Sequence, residues 1–242
     1  MSIPVNPNEP EDDTPREPSV REAFAAAVRN AGIGQVTPGE MPTAASLLGA
    51  VGGVRGLIEA ILPALGFLVI YGLTRNVAAA VLVPVAIAIV FVVARLIART
   101  SPTQAFAGVG GVAISAALAL FTGRAEDNFV PGLIINAVSL LVLLGSIVVR
   151  YPFIGLVVGV LSNEGLQWRH NPRKRRVLTV ATLLWSALFA VRLIAELPLY
   201  FAGEVELLAT VKLVLGVPFY AITLWVTWLL VKSVYSREIS RE

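Results

Sequence analysis

Residues 177–203, VLTVATLLWSALFAVRLIAELPLYFAG, are long and apolar enough to cross a bilayer, yet they carry Arg192 and Glu196 in their interior. A helix needs about 20 mostly apolar residues to cross a hydrocarbon core roughly 30 Å thick. An ionised side chain at that depth costs at least about 2.5–3.5 kcal/mol on insertion scales, so it is normally paired and turned towards protein. Residues four apart share one face of a helix. The stretch therefore predicts a transmembrane helix inside a bundle, with its charges held by neighbours.

The rest of the chain repeats the apolar theme. With 56% hydrophobic and 14% charged residues, the composition falls outside the soluble globular range. The predicted fold is all-α: a polytopic transmembrane bundle of six spans, at about 57–73, 77–97, 105–122, 130–149, 177–203 and 207–231. Pro63 predicts a kink in the first. Residues 151–161 are too few to span, since eleven residues of helix cover only about 16 Å; they predict an interfacial or re-entrant segment. Residues 1–18 hold five prolines and an acidic cluster and predict a disordered tail. In 19–42, Ser19 and Glu22 form a capping box ahead of Val20, Phe24 and Val28, which predicts a short amphipathic helix over 19–31 followed by a linker. The transmembrane domain is placed at 43–233 and a polar tail at 234–242. No cleavable signal peptide is evident, so the first span is expected to act as its own insertion signal.

Charge placement sets the orientation. With the N-terminus inside, fourteen Lys and Arg fall in cytoplasmic segments, against Arg75 and Arg124 outside. Basic residues in short loops are retained on the cytoplasmic side, so both termini are expected in the cytoplasm and the chain in the cytoplasmic (inner) membrane. Tyr71 and Tyr200 then sit at the outer interface, and Tyr151, Trp168 and Tyr235 at the inner one.

Three groups of charges stand out. Arg192 and Glu196 lie about 16 and 10 Å below the turn at Gly203, and Lys212 enters at similar depth from the other arm of the hairpin. Together they form either a solute, ion or proton site or a self-satisfied cluster that pins spans five and six. A second layer comprises Arg55 and Glu59 on span one with Arg95 and Arg99 at the end of span two, where long side chains can snorkel. In the basic loop, Arg169, Arg173, Lys174, Arg175 and Arg176 fix topology and are suited to anionic lipid headgroups. Span three carries small residues every fourth position, Ala107, Gly111, Ser115, Ala119 and Gly123, a ridge that lets helices approach closely in lipid and predicts the most enclosed helix.

Enzyme signatures are missing. With no cysteine and one histidine, His170 in the basic loop, the chain offers no metal cluster and no thiol chemistry. The GVGGV stretch at 108–112 lacks the strand–turn–helix setting of a dinucleotide site. No cofactor, no metal and no nucleic acid are expected. The expected partners are a bilayer with anionic headgroups, together with another membrane protein or a second copy of the chain.

The ordered landmarks carry a resemblance. Gly52-Gly-Val-Arg-Gly56 before Pro63, Thr122-Gly-Arg-Ala-Glu-Asp127, Val149-Arg-Tyr-Pro-Phe-Ile-Gly155, Trp168-Arg169, Trp185 ahead of Arg192, Leu197-Pro-Leu-Tyr200, and Lys212 with Gly216-Val-Pro218 resemble an actinobacterial family of integral membrane proteins of unknown function. The match covers about residues 44–231. More distantly, the layout is similar to the intracellular septation protein A family. The stretch from Leu62 to Tyr71 resembles that family's opening span, Pro152-Phe-Ile-Gly155 its Pro-Leu-Ile stretch, and Val211-Lys212 its Asn-Phe-Lys motif, with Thr210 and Val211 replacing the Asn-Phe. That resemblance implies a role in envelope assembly, division or membrane homeostasis through protein partners, and it brings no catalytic residue. A small-solute, ion or proton transporter or channel built on Arg192, Glu196 and Lys212 is the alternative.

Overall fold

A computed structural model describes residues 53–97, 102–162 and 164–239, apart from the side chains of 53–57, 59–60, 95–96, 102–109 and 236–239. The tail expected at 1–18, the amphipathic helix expected at 19–31 and Arg99 lie outside the described residues. Among these residues eight α-helices follow in chain order: α1 Gly53–Thr74, α2 Val77–Ile97, α3 Pro102–Thr122, α4 Val130–Val148, α5 Phe153–Leu161, α6 Pro172–Ala202, α7 Val205–Val214 and α8 Val217–Ile239. Short 3-10 turns at Ala125–Phe129 and Gln167–His170 precede α4 and α6. Among the described residues there is no strand.

Among the described residues, four stretches are long and apolar enough to cross a membrane: Val77–Ala94, Ala125–Val148, Pro172–Ala202 and Val205–Tyr235. Shorter apolar pieces, Ile61–Thr74 and Gly110–Thr122, lie within α1 and α3. Large apolar side chains point outward along these helices, among them Phe121, Val148, Ile97, Ile194 and Leu141. A belt of that extent has no stable place in water and matches a lipid environment. At nine residues α5 is too short to cross, as its sequence implies. Pro63 and Pro84 both sit inside unbroken helices.

The helices run antiparallel in hairpins, so the bundle has an acidic end, at the turns holding Arg75, Glu126 and Glu206, and a basic end, at the turn leading into α6. Helix α1 packs along α2 and α2 along α3, while α4 and α8 pack along α6. At the acidic end Phe67, Ala80, Val81, Ala116, Ala119, Phe129 and Leu208 form one apolar cluster. Nearer the basic end Leu143, Leu188 and Phe189 form another, joined by Trp185 and Tyr220. Helix α7 ties the first group to α6.

Three expectations change. The enclosed helix is α6 and not α3: 44% of the α6 span is buried inside the protein, whereas of the described α3 side chains, at 110–122, Ala116 and Ala119 alone are buried. The small-residue ridge is only partly used. Ala119 is buried beside Ala116, but a side chain at Gly111 would meet nothing within 4 Å. Gly123 terminates the helix with φ +70°, and the Ala107 side chain is not described. Packing runs along the Ala116–Ala119 face because α3 meets α2 and the 3-10 turn there. Lastly, the helix expected over 207–231 is broken into α7 and α8. Pro218 has no N–H for the carbonyl of Val214 and disfavours helical geometry at Val217. The chain closes instead through Gly216 N–H to the Leu213 carbonyl at 3.2 Å. Gly216 is required there, because a Cβ would lie 2.7 Å from the Lys212 carbonyl oxygen.

Candidate functional site

Helix α6 builds the core of the site. Asn171 caps it, its side-chain oxygen accepting from the backbone N–H groups of Arg173 and Lys174. Gly203 ends it in the left-handed conformation, φ +70°, where glycine is favoured. Between the caps, its buried face carries Lys174, Thr182, Ser186, Arg192 and Glu196. Thr182 and Ser186 return their hydroxyl protons to the carbonyls of Leu178 and Thr182. Thr227 does the same to Thr223 and accepts from Trp185 Nε1 at 3.0 Å, which links α6 to α8. Ile154 N–H donates to Thr182 and hangs the short helix α5 on the same face.

Arg192 and Glu196 are brought together as their spacing requires. Arg192 Nε donates to Glu196 Oε1 at 3.2 Å, and the two residues are 7% and 1% exposed. Asn136 of α4, itself buried, donates to the second carboxylate oxygen at 3.4 Å. The guanidinium also lies 5.4 Å from the centroid of the Tyr220 ring on α8. Three helices thus converge on one carboxylate–guanidinium pair, whose contacts lie inside the protein.

Lys212 stands apart from this pair. Among the described residues its ammonium has no carboxylate within 4.0 Å. It sits 4.8 Å from the centroid of Phe129, and a Cβ on Gly132 would lie 3.1 Å from Nζ. Its field still reaches Glu196 and Arg192. The expected triad is a buried pair plus a neighbouring lysine, because α7 packs on α1 and the 3-10 turn and so aims Lys212 at Phe129.

At the acidic end Tyr200 donates to the buried carboxylate of Asp127 at 2.7 Å. Arg124 pairs with Glu126 at 2.9 Å, and that bond holds its guanidinium above the ordinary range. Arg75 reaches Glu206 at 2.8 Å, closing the α1–α2 turn on α7.

At the basic end the five loop cations separate. Arg173, Arg175 and Arg176 are exposed. Arg169 stacks 3.9 Å from the Tyr151 ring centroid. Lys174 turns inward, 5% exposed, onto Glu164 at 2.8 Å, whose other oxygen accepts from Tyr235 at 3.2 Å. The position three residues into α6 puts Lys174 on the packed face, so it is a tie between the loop and α8. Trp168, expected at the membrane interface, is 1% exposed. Its ring lies in a notch made by Gly155 and Gly159 on α5, where a Cβ at either glycine would approach within 2.8 Å of the indole. Of the second charge layer, Arg55, Glu59 and Arg95 lie on α1 and α2, but their side chains are not described.

Sequence reasoning passed over Asn136, Tyr220 and Glu164, and placed Tyr235 at the inner interface without its bond to Glu164. Asn136 had a usable signal, as the one amide within an otherwise apolar span. The others reach their partners only through helix–helix packing.

A helical bundle with an apolar exterior and a polar seam along its most buried helix defines an integral membrane protein. The family model described as protein of unknown function, DUF3159, matches residues 51–238, and the chain belongs to that family. No curated protein and no solved structure matches it.

Proposed function

We propose that this is a non-enzymatic protein of the cytoplasmic membrane that acts in the cell envelope by holding other membrane proteins, crossing the bilayer six times with both termini in the cytoplasm. The observation that carries the reading is the closure of Arg192 and Glu196, at 7% and 1% exposed, with Asn136 and Tyr220 against them. A transport site presents its charges to a path for solute. A pair whose contacts are to each other and to packed side chains serves as a fixture between helices. The six crossings rest on α1, α2, α3, α4, α6 and the α7–α8 arm, each at least 19 residues long. The orientation rests on the basic residues gathered at one end. The distant resemblance to the septation protein A family supports the envelope role. The exposed Arg173, Arg175 and Arg176 suit anionic headgroups at that end.

A second reading, a small-solute, ion or proton transporter, draws on the helix break at 215–216 beside Lys212, since irregular backbone at membrane depth is a feature of ion and substrate sites. Flux separates the two. The purified chain in sealed vesicles is expected to conduct protons and small ions no faster than empty vesicles. A photocrosslinker at the outward-facing Ile135 or Leu141 of α4 in living cells is expected to trap a discrete membrane-protein adduct. Flux above background that disappears in Glu196→Gln would replace the scaffold reading with the transporter.

A further inference from the structure

The basic end contains a polar cleft of about 630 Å³ lined by Glu164, Gln167, His170, Asn171, Pro172 and Lys174. We propose that this cleft seats the headgroup of one anionic phospholipid, with its phosphate on the Lys174 side and its headgroup hydroxyls on Gln167, His170 and Glu164. The inference deepens the headgroup reading given above and rests on the chain being a membrane protein.

Position comes first. Helix α6 has 31 residues, about 46 Å at 1.5 Å per residue, against a hydrocarbon core of roughly 30 Å. Its far end stops at the acidic turn, so about ten residues at its start project beyond the core, into the layer where lipid phosphates lie. Tyr151 and Tyr235 occupy the same level, where amphipathic rings settle.

Chemistry comes second. The Glu164–Lys174 pair contributes no net charge, while Arg173, Arg175 and Arg176 around the first turns of α6 are exposed and make the surroundings positive. A headgroup with a net negative phosphodiester is drawn towards such surroundings, though exposed cations screened by salt hold it only weakly. Charge alone would suit any anion. The lining adds neutral hydrogen-bonding groups: Gln167 and His170 are exposed, and the amide nitrogen of Asn171 remains available because its oxygen caps the helix. Hydroxyl-bearing headgroups use such groups, and a choline headgroup does not.

The test uses the full chain, purified in detergent and mixed with equal amounts of phosphatidylglycerol and phosphatidylcholine, with bound lipid read by native mass spectrometry. The expected result is one retained phosphatidylglycerol, lost about fivefold or more in Gln167→Leu/His170→Leu, since each lost hydrogen bond is worth about 1 kcal/mol. Arg175→Gln/Arg176→Gln, outside the cleft, is expected to change retention by about twofold or less. Equal losses in the two variants would show diffuse attraction to the basic loop and overturn the cleft. Displacement by inorganic phosphate would assign the cleft to a soluble anion and also overturn it, as would no preference over phosphatidylcholine. Should the leucine pair melt lower than wild type, Gln167→Glu supplies the same readout by repulsion. Release of the chain from membranes by alkaline carbonate would instead defeat the membrane reading itself.

Discussion

Replacing Glu196 by Gln separates charge from shape at the centre of the bundle. Glutamine keeps the length of the side chain and an oxygen for the Asn136 amide, but it leaves Arg192, 7% exposed, with no carboxylate. Removing one partner of a buried pair costs about 3–5 kcal/mol, because the remaining charge stays buried and uncompensated. The guanidinium keeps the face of Tyr220, which places the expected loss near the lower bound, about 3 kcal/mol. For a domain of this size that is a fall in melting temperature of about 6–12 °C. The chain has no cysteine for a thiol dye but four tryptophans, so intrinsic fluorescence of the detergent-purified protein on heating is the assay. The double variant Arg192→Met/Glu196→Gln removes the orphaned cation and is expected to regain most of the loss, since apolar replacement of a buried pair is often neutral. Melting of Glu196→Gln within about 2 °C of wild type would refute the reasoning. So would a double variant as unstable as the single one.

Two further outcomes follow from close contacts elsewhere. In Gly159→Ala the new Cβ would lie 2.1 Å from the Gly165 carbonyl oxygen and 2.8 Å from Trp168 Nε1; overpacking of this kind costs about 1–3 kcal/mol, and the expected sign is a lower melting temperature with red-shifted tryptophan emission as Trp168 leaves its notch. Tyr200→Phe removes the donor to the buried Asp127 carboxylate, a charge-assisted bond worth about 1.5–3 kcal/mol, and is expected to raise amide hydrogen exchange in the 3-10 turn at Ala125–Phe129 while leaving α5 and α6 unchanged.

Much of this architecture was legible in the chain because lipid leaves few choices. A backbone in hydrocarbon must satisfy its own hydrogen bonds, so long apolar runs become helices, and a run of nine to eleven residues such as α5 cannot cross. The i,i+4 pairing of Arg192 with Glu196 follows from helical pitch alone. The helix break was written in Gly216-Val217-Pro218, yet apolar continuity concealed it, since hydropathy ignores which N–H groups are missing. The ridge on α3 was misleading for a related reason: small residues permit close approach, but whether a partner arrives depends on where the next hairpin turns.

Sequence by itself determined that this chain is helical, that its exterior is lipid-like, and that Arg192 and Glu196 share a face. These follow from local geometry and from the cost of placing polar groups in hydrocarbon. Only the tertiary structure decided which side chains meet across helices. Asn136 and Tyr220 close on the pair, Lys212 lies against Phe129, and Lys174 turns inward to Glu164 and Tyr235. Such contacts depend on the rotation of each helix about its axis and its depth against its neighbours, which no single span encodes.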